Sequence, residues 1–385
     1  MTLAPRSRHE AHRAATPLEL FFDLVFVVAI AHAASDLHHA VAGGHVAAGV
    51  LSYAMVFFAI WWAWMNFTWF GSAYDSDDVP YRLLTLAQMS GALIVAAGVP
   101  EAFAERDFGV VTLGYVVMRL ALVPQWLRAA RGDALRRDTA RRYALGITVV
   151  QAGWVALLAA PEPWGLAGFG ALALAELAVP VWAESAAPTP WHPDHIVERY
   201  GLFTIIVLGE SILAASLAIQ AATAGGATTG DLLSEIVGGV LIVFAMWWLY
   251  FDRPAPEQCE SLHEPFVWGY GHIAVFTSAA AVGAGLSVEV DRITGHAEIG
   301  PVGGALSVAV PVALYLVALS LLPSGRRRSS RAGRLLVWIA APAVLAAAWA
   351  GEPMLVIGFL LTVLLAIKLW LHRSARRAGP EAVAG

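Results

Sequence analysis

The sequence predicts an all-α integral membrane protein of about twelve transmembrane helices, arranged as two six-helix repeats of the same orientation. Three observations predict this. The 385-residue chain is 58% hydrophobic and only 14% charged, with 15 tryptophans, against roughly 45–50% apolar and 25% charged in soluble domains. Its apolar residues gather into segments near the roughly 20 residues that a bilayer core demands. Its basic residues, mostly arginine, cluster in alternate connections between those segments.

The segments run 18–38, 47–70, 80–100, 108–129, 143–160, 164–184, 198–219, 232–251, 266–288, 301–322, 334–350 and 354–371, the fifth and eleventh carrying the weakest signal. With the amino terminus in the cytoplasm, the inner regions receive Arg6, Arg8 and Arg13, then Arg82, the six arginines from Arg128 to Arg142, Arg199 and Arg253. They also receive the five arginines from Arg326 to Arg334 and the tail with Lys368, Arg373, Arg376 and Arg377. Only Arg106 and Arg292 fall outside, and only Arg119 within a span. This bias predicts a multi-pass protein of the inner (cytoplasmic) membrane with both termini cytoplasmic. The expected layout is an arm (1–17), a first half (18–184), a linker (185–197), a second half (198–371) and a tail (372–385).

The opening segment, PLELFFDLVFVVAIAHAASDL, holds Glu19, Asp23 and His32. Glu19 and Asp23 stand where the apolar run of a signal peptide would begin, so cleavage is not expected. Ionisable groups in hydrocarbon are expensive and usually face a partner, a cavity or a pathway. Glu19 and Asp23 are four residues apart and share one helix face, where two carboxylates could share a proton. Glu19 also has a purely structural reading as an acid favoured by a helix amino terminus. The seventh segment repeats the pattern, with Glu198 and Arg199 at its start and Glu210 beside Gly209 and Ser211 near its middle.

The two halves look duplicated. FFAIWWAWMNF (Phe57 to Phe67) and VFAMWWLYFD (Val243 to Asp252) align Trp61 and Trp62 with Trp247 and Trp248, and Glu19 and Glu198 each open the preceding helix. An even number of spans per half relates the halves by an axis along the membrane normal, as in many transport folds.

Three stretches carry a resemblance: TPLELFFDLVFVVAI from Thr16 to Ile30, YDSDDVPYRLL from Tyr74 to Leu84, and ERYGLFTIIVLGES from Glu198 to Ser211. The chain resembles the bacterial low temperature requirement protein A family, LtrA, in order through WWLYFD and YGHIAVF. The resemblance implies a multi-spanning membrane protein and marks these positions as functional candidates without supplying a reaction. The first helix is also similar to the opening helix of lysosomal and bacterial potassium channels, although Phe22 replaces the serine of their Phe-Ser-Asp motif.

Further candidates follow from charge. Arg119 at the centre of a span needs a counter-ion, which could be Asp23, Glu210 or Glu176. His32 and His272 within spans read as proton relays or as helix–helix hydrogen bonds. Asp75, Asp77 and Asp78 with Arg82 form a cytoplasmic acidic loop, read either as a gate or ion-entry funnel or as a helix-capping turn. His38, His39 and His45 near Asp36, and His192 and His195 near Asp194, have no recognised ligand spacing and are expected to be solvated rather than metal-binding.

The single cysteine, Cys259, excludes an intrachain disulfide framework and a cysteine-based zinc or iron–sulfur site. No phosphate loop, HExxH or nucleophile constellation is present. No cofactor, enzymatic activity or nucleic-acid partner is therefore expected, an intramembrane enzyme with acids and histidines as general acid and base being the remote alternative. The arginine-rich loops suit orientation and anionic lipid. The expected partners are the bilayer and a small solute or ion, with homo-oligomer formation left open. The leading expectation is ion- or proton-coupled secondary transport by intramembrane carboxylates, followed by a proton or monovalent-cation channel and by a sensory or structural membrane protein.

Overall fold

A computed structural model of the chain describes residues 2–7, 10, 13–161, 164–228, 230, 232–252, 263–323 and 331–377. The described residues form twelve α-helices and no β-strand: α1 (Pro17–Ala42), α2 (Val46–Tyr74), α3 (Val79–Ala104), α4 (Gly109–Gly132), α5 (Arg137–Leu157), α6 (Trp164–Glu184), α7 (Pro193–Ala224), α8 (Leu233–Phe251), α9 (His263–Ile293), α10 (Pro301–Leu321), α11 (Arg331–Ala346) and α12 (Pro353–Arg377). Arg8, Arg253, Cys259, the arginines 326–328 and tail residues 378–385 lie outside the described residues.

Ten helices are long and apolar enough to cross a bilayer, which makes the chain a polytopic membrane protein. The other two are α5 and α11, the pair with the weakest sequence signal. Helix α5 opens with Arg137, Asp138, Arg141 and Arg142. Helix α11 has 16 residues, about 24 Å at 1.5 Å per residue and short of a 30 Å core.

The chain divides into two compact units, Met1–Asp36 with Leu51–Phe203, and Leu37–Val50 with Thr204–Gly385. Residues 185–197 and the first turns of α7 thus belong to the first unit. There α3 packs on α4, α4 on α5 and α5 on α6. In the second unit α9 packs on α10, α8 on α12 and α10 on α11.

Helix α1 shows how sequence period becomes position. Leu20, Phe21, Leu24 and Val28 point outward, while Glu19, Phe22, Asp23, Phe26, Ile30 and Ala33 are buried. An outward apolar stripe suits hydrocarbon, and the opposite face carries both acids inward. Helix α3 starts where Asp78 accepts a hydrogen bond from the Tyr81 backbone N–H at 2.8 Å, with proline in the first turn, a conventional helix start.

The paired tryptophans of the two halves differ in environment. Trp61 and Trp62 are 1% and 0% exposed, whereas Trp247 and Trp248 are each 46% exposed. The first pair lies inside the first unit. The second lies on the surface of α8, where indoles suit lipid or its interface.

Helix contact in the first unit depends on small residues. A Cβ on Gly114 would lie 2.6 Å from both the Gly91 carbonyl oxygen and the Val95 backbone nitrogen, so α3 and α4 touch through backbone, a common membrane packing mode. Gly170 in α6 has nothing within 4 Å of the same position. The Gly114→Ala variant is therefore expected to lose about 1–3 kcal/mol of stability through overpacking. Gly170→Ala should stay at or slightly above the parent, as read by thermal unfolding of purified protein in one detergent.

Candidate functional site

Glu19 occupies the first turn of α1, and the Thr16–Glu19 stretch closes on itself. The Thr16 backbone N–H and hydroxyl donate to Glu19 Oε2 at 2.9 and 3.1 Å, while the Glu19 N–H donates to Thr16 Oγ1 at 3.3 Å. This is a reciprocal capping box with Pro17 at the helix start. The structural reading of Glu19 thus holds, and the same carboxylate has a second set of partners. One turn on, Asp23 lies on the same buried face.

Both acids meet Arg199, from the first turns of α7. Its Nη2 and Nε donate to Asp23 Oδ1 and Oδ2 at 2.6 and 3.1 Å, a forked pair. Its Nη1 stands 3.0 Å from Glu19 Oε1, without hydrogen-bond geometry. Trp64 Nε1 donates to Asp23 Oδ1 at 2.7 Å, and His195 Nε2 lies 3.2 Å from Glu19 Oε2. Glu19, Asp23, His195 and Arg199 are all fully buried. A Cβ on Gly71 would be 3.0 Å from Glu19 Oε1 and 3.3 Å from the Tyr81 hydroxyl, so glycine keeps space there. The Tyr81 hydroxyl has no hydrogen-bond partner among the described residues.

These placements correct one expectation. His192 and His195, expected to be solvated, are buried. The reason is that α7 begins at Pro193, about one turn before its apolar run, because that turn is covered by the first unit rather than by water.

Arg119 takes Glu176 as its partner, at 2.8 Å. Trp62 Nε1 donates to the same oxygen, Oε2, at 2.9 Å. Glu176 Oε1 accepts from the Tyr115 hydroxyl at 2.8 Å, Gln151 Nε2 at 2.9 Å and Trp154 Nε1 at 3.3 Å. Five donors from α2, α4 and α5 converge on one carboxylate, which has about four lone-pair sites. Its capacity to accept anything further is used up.

The acidic-loop candidates meet the start of the chain through ionic contacts. Arg13, itself buried, donates to the Ser72 and Gly71 carbonyl oxygens at 2.6 and 2.7 Å, so it caps the end of α2 where cations are favoured. Arg6 reaches Asp75 at 3.2 Å, and His192 Nε2 meets the Glu10 carbonyl at 2.9 Å. Burial, reinforced by the nearby Glu19 charge, pushes the Asp75 carboxyl up from its usual range against the pull of Arg13 and Arg6. Asp77 is held below its usual value by its hydrogen bond to Arg82. For Asp78, burial acts upward but is outweighed by hydrogen bonds from Arg128 and the Tyr81 N–H. Asp78 thus serves as the cap of α3.

The remaining candidates stand apart. Glu210, in the second unit, is half-buried and has no hydrogen-bond or ion-pair partner among the described residues. Helix α7 runs unbroken through Gly209, which has nothing within 4 Å of a Cβ position. Among the described residues no helix approaches closely at Gly209, although a glycine there would permit it. Ser211 donates to Ala279 O at 2.9 Å, with Gly283 packed against it. His272 bonds the Tyr250 hydroxyl at 3.1 Å and the Trp268 carbonyl at 2.7 Å, which fits the helix–helix reading. His32 is exposed and Glu198 half-buried. His38, expected to be solvated, is instead largely buried and meets Asp291 at 2.7 Å. No group of three or more His, Cys, Asp or Glu is arranged to hold a metal among the described residues.

Sequence reading missed Thr16, Arg13, Trp64, Tyr81 and His195. The capping box was visible as T-P-L-E, and His195 and Arg199 have the i, i+4 spacing of one helix face. No local signal marks Trp64 or Tyr81. Removing one member of the Arg119–Glu176 pair is expected to cost about 3–5 kcal/mol, because the other is left buried and unpaired. The Glu176→Gln variant should therefore unfold well below the parent in a detergent or denaturant titration, and Glu176→Gln with Arg119→Met should recover much of the loss.

Comparison with known proteins places the chain in a family. Residues 14–369 match the model of the bacterial low temperature requirement A protein. An uncharacterized protein of Rhizobium meliloti (strain 1021) is 29% identical over 294 residues, covering 67% of this chain and 65% of that protein. The chain thus spans about 65% of the length of this curated relative. No solved structure matches. The chain belongs to the LtrA family of bacterial low temperature requirement A proteins.

Proposed function

We propose that this protein is an ion- or proton-coupled secondary transporter of the bacterial inner membrane, with Glu19, Asp23, Arg199 and His195 as its coupling site. One observation carries the reading: two fully buried carboxylates share a single guanidinium. Their formal sum is one negative charge, and a buried unpaired charge is costly. A proton on His195, beside Glu19 Oε2, balances the cluster, as does a small cation at Glu19 Oε1. Glu19 Oε1, Arg199 Nη1 and the Tyr81 hydroxyl all lack hydrogen-bond partners, so the cluster has capacity to spare.

The contrast with Glu176 supports the assignment. A carboxylate with five donors holds Arg119 and anchors helices, and we assign it a structural role. Asp23 and Glu19 have fewer donors and share their cation. The reading uses twelve spans, six per half in the same orientation, with both termini cytoplasmic. The arm carrying Arg6 and Arg13, together with Asp75, closes the cytoplasmic approach to Glu19. Glu210 is a second intramembrane acid for the transport path. No cofactor or catalytic step enters this reading.

A proton or monovalent-cation channel is the alternative, and a sensory or structural role is the next. Proton and alkali-cation flux into proteoliposomes separates them. The parent is expected to show saturable flux that Asp23→Asn abolishes at matched insertion, with Arg199 still paired to Glu19 and the fold retained. Flux that never saturates identifies a channel. No flux under any gradient, with variants indistinguishable from the parent, removes ion coupling at this site.

A further inference from the structure

The first unit contains a cavity of about 270 Å³ with an apolar wall that includes five aromatic residues: Phe58 from α2, Phe108 before α4, Tyr115 from α4, Trp154 from α5 and Phe169 from α6. The rings are mutually packed, with Trp154 and Phe169 centroids 5.1 Å apart and Phe58 and Phe169 6.0 Å apart, both edge to face. A cavity of roughly 150 Å³ holds one benzene ring, so this one has room for a two-ring body. Binding pockets of this kind are mostly apolar with a few placed polar groups.

The polar groups are unequal in availability. At the inner end, the Tyr115 hydroxyl and Trp154 Nε1 are spent on Glu176, so that end offers ring faces and no free donor. Asp107 also lines the cavity, but its Oδ1 accepts the Gly109 N–H at 2.7 Å at the start of α4. Arg106 beside it is exposed, has no partner among the described residues, and adopts a left-handed backbone with φ 55°. It is also one of only two arginines on the side that the charge bias assigns to the exterior. An uncommitted guanidinium at the rim of an aromatic cavity is a complementary pair of features for one ligand type.

We infer that this cavity binds a small organic anion with an aromatic body of about two rings, its carboxylate on Arg106 and its rings among Phe58, Tyr115, Trp154 and Phe169. The inference concerns equilibrium binding and does not rest on the transport reading.

The test uses the purified full chain in lipid nanodiscs with 2-naphthoate as probe and neutral 2-naphthol as its uncharged counterpart. Saturable 2-naphthoate binding above empty nanodiscs is expected. Arg106→Gln, an exposed change that leaves the fold intact, should weaken it about tenfold, the loss of one charge-assisted contact. The same variant should leave 2-naphthol binding unchanged, whereas Thr112→Trp, which fills the cavity, should abolish both. The inference is overturned by the absence of saturable binding, or by equal 2-naphthoate affinity in the parent and Arg106→Gln. It is also overturned if delipidated protein retains phospholipid that Arg106→Gln releases and 2-naphthoate does not displace, which would make the occupant a membrane lipid.

Discussion

A charge removed from water must find a partner, and in this chain that requirement determines how distant helices meet. Arg199 is fully buried between Glu19 and Asp23, which lie 180 and 176 residues away in sequence. The desolvation of three ions is offset only if the forked contact to Asp23 and the approach to Glu19 form together. The start of α7 is thereby tied to the inward face of α1. Trp64 adds its indole N–H to Asp23, so the second helix is drawn into the same arrangement.

The two buried ionic centres of the first unit use similar parts to different ends. At Glu176 one carboxylate meets one guanidinium and is surrounded by four further donors, two of them tryptophan indoles. The carboxylate's charge and accepting capacity are both met, although Arg119 Nε and Nη1 and Gln151 Oε1 have no hydrogen-bond partner among the described residues, and the centre clamps α2, α4, α5 and α6. At Glu19 and Asp23 the formal charges do not balance, because two carboxylates share one guanidinium. A buried excess of charge is costly, and this formal imbalance, rather than a difference in unpaired polar atoms, separates the centre from the one at Glu176. The abundance of tryptophan thus has two sources. Some indoles, such as Trp247 and Trp248, face outward, while Trp62, Trp64 and Trp154 are hydrogen-bond donors to interior acids.

The amino-terminal arm belongs to the same logic. Arg13 completes the carbonyl end of α2, and Leu3 is buried with its N–H donated to the Arg128 carbonyl oxygen. In a segment that looks like a basic, topology-setting tail in sequence, Leu3 and Arg13 are packed into the first unit. Arg13 satisfies the end of α2 and Arg6 pairs with Asp75.

Much of this was legible in the chain alone. The membrane class, most of the helices and the inward face shared by Glu19 and Asp23 follow from composition, hydropathy and a period of 3.6 residues, all of which are local properties. The weak segments, the fifth and eleventh, are weak for local reasons too, namely early charges in α5 and the shortness of α11. Pairing is not local. Sequence could name Glu176 as one of three partners for Arg119, but the choice depended on which helices pack side by side. It could read Arg199 and His195 only as residues near a helix start. Their burial depended on the acids of α1 being within reach, and that proximity exists only once the helices have assembled.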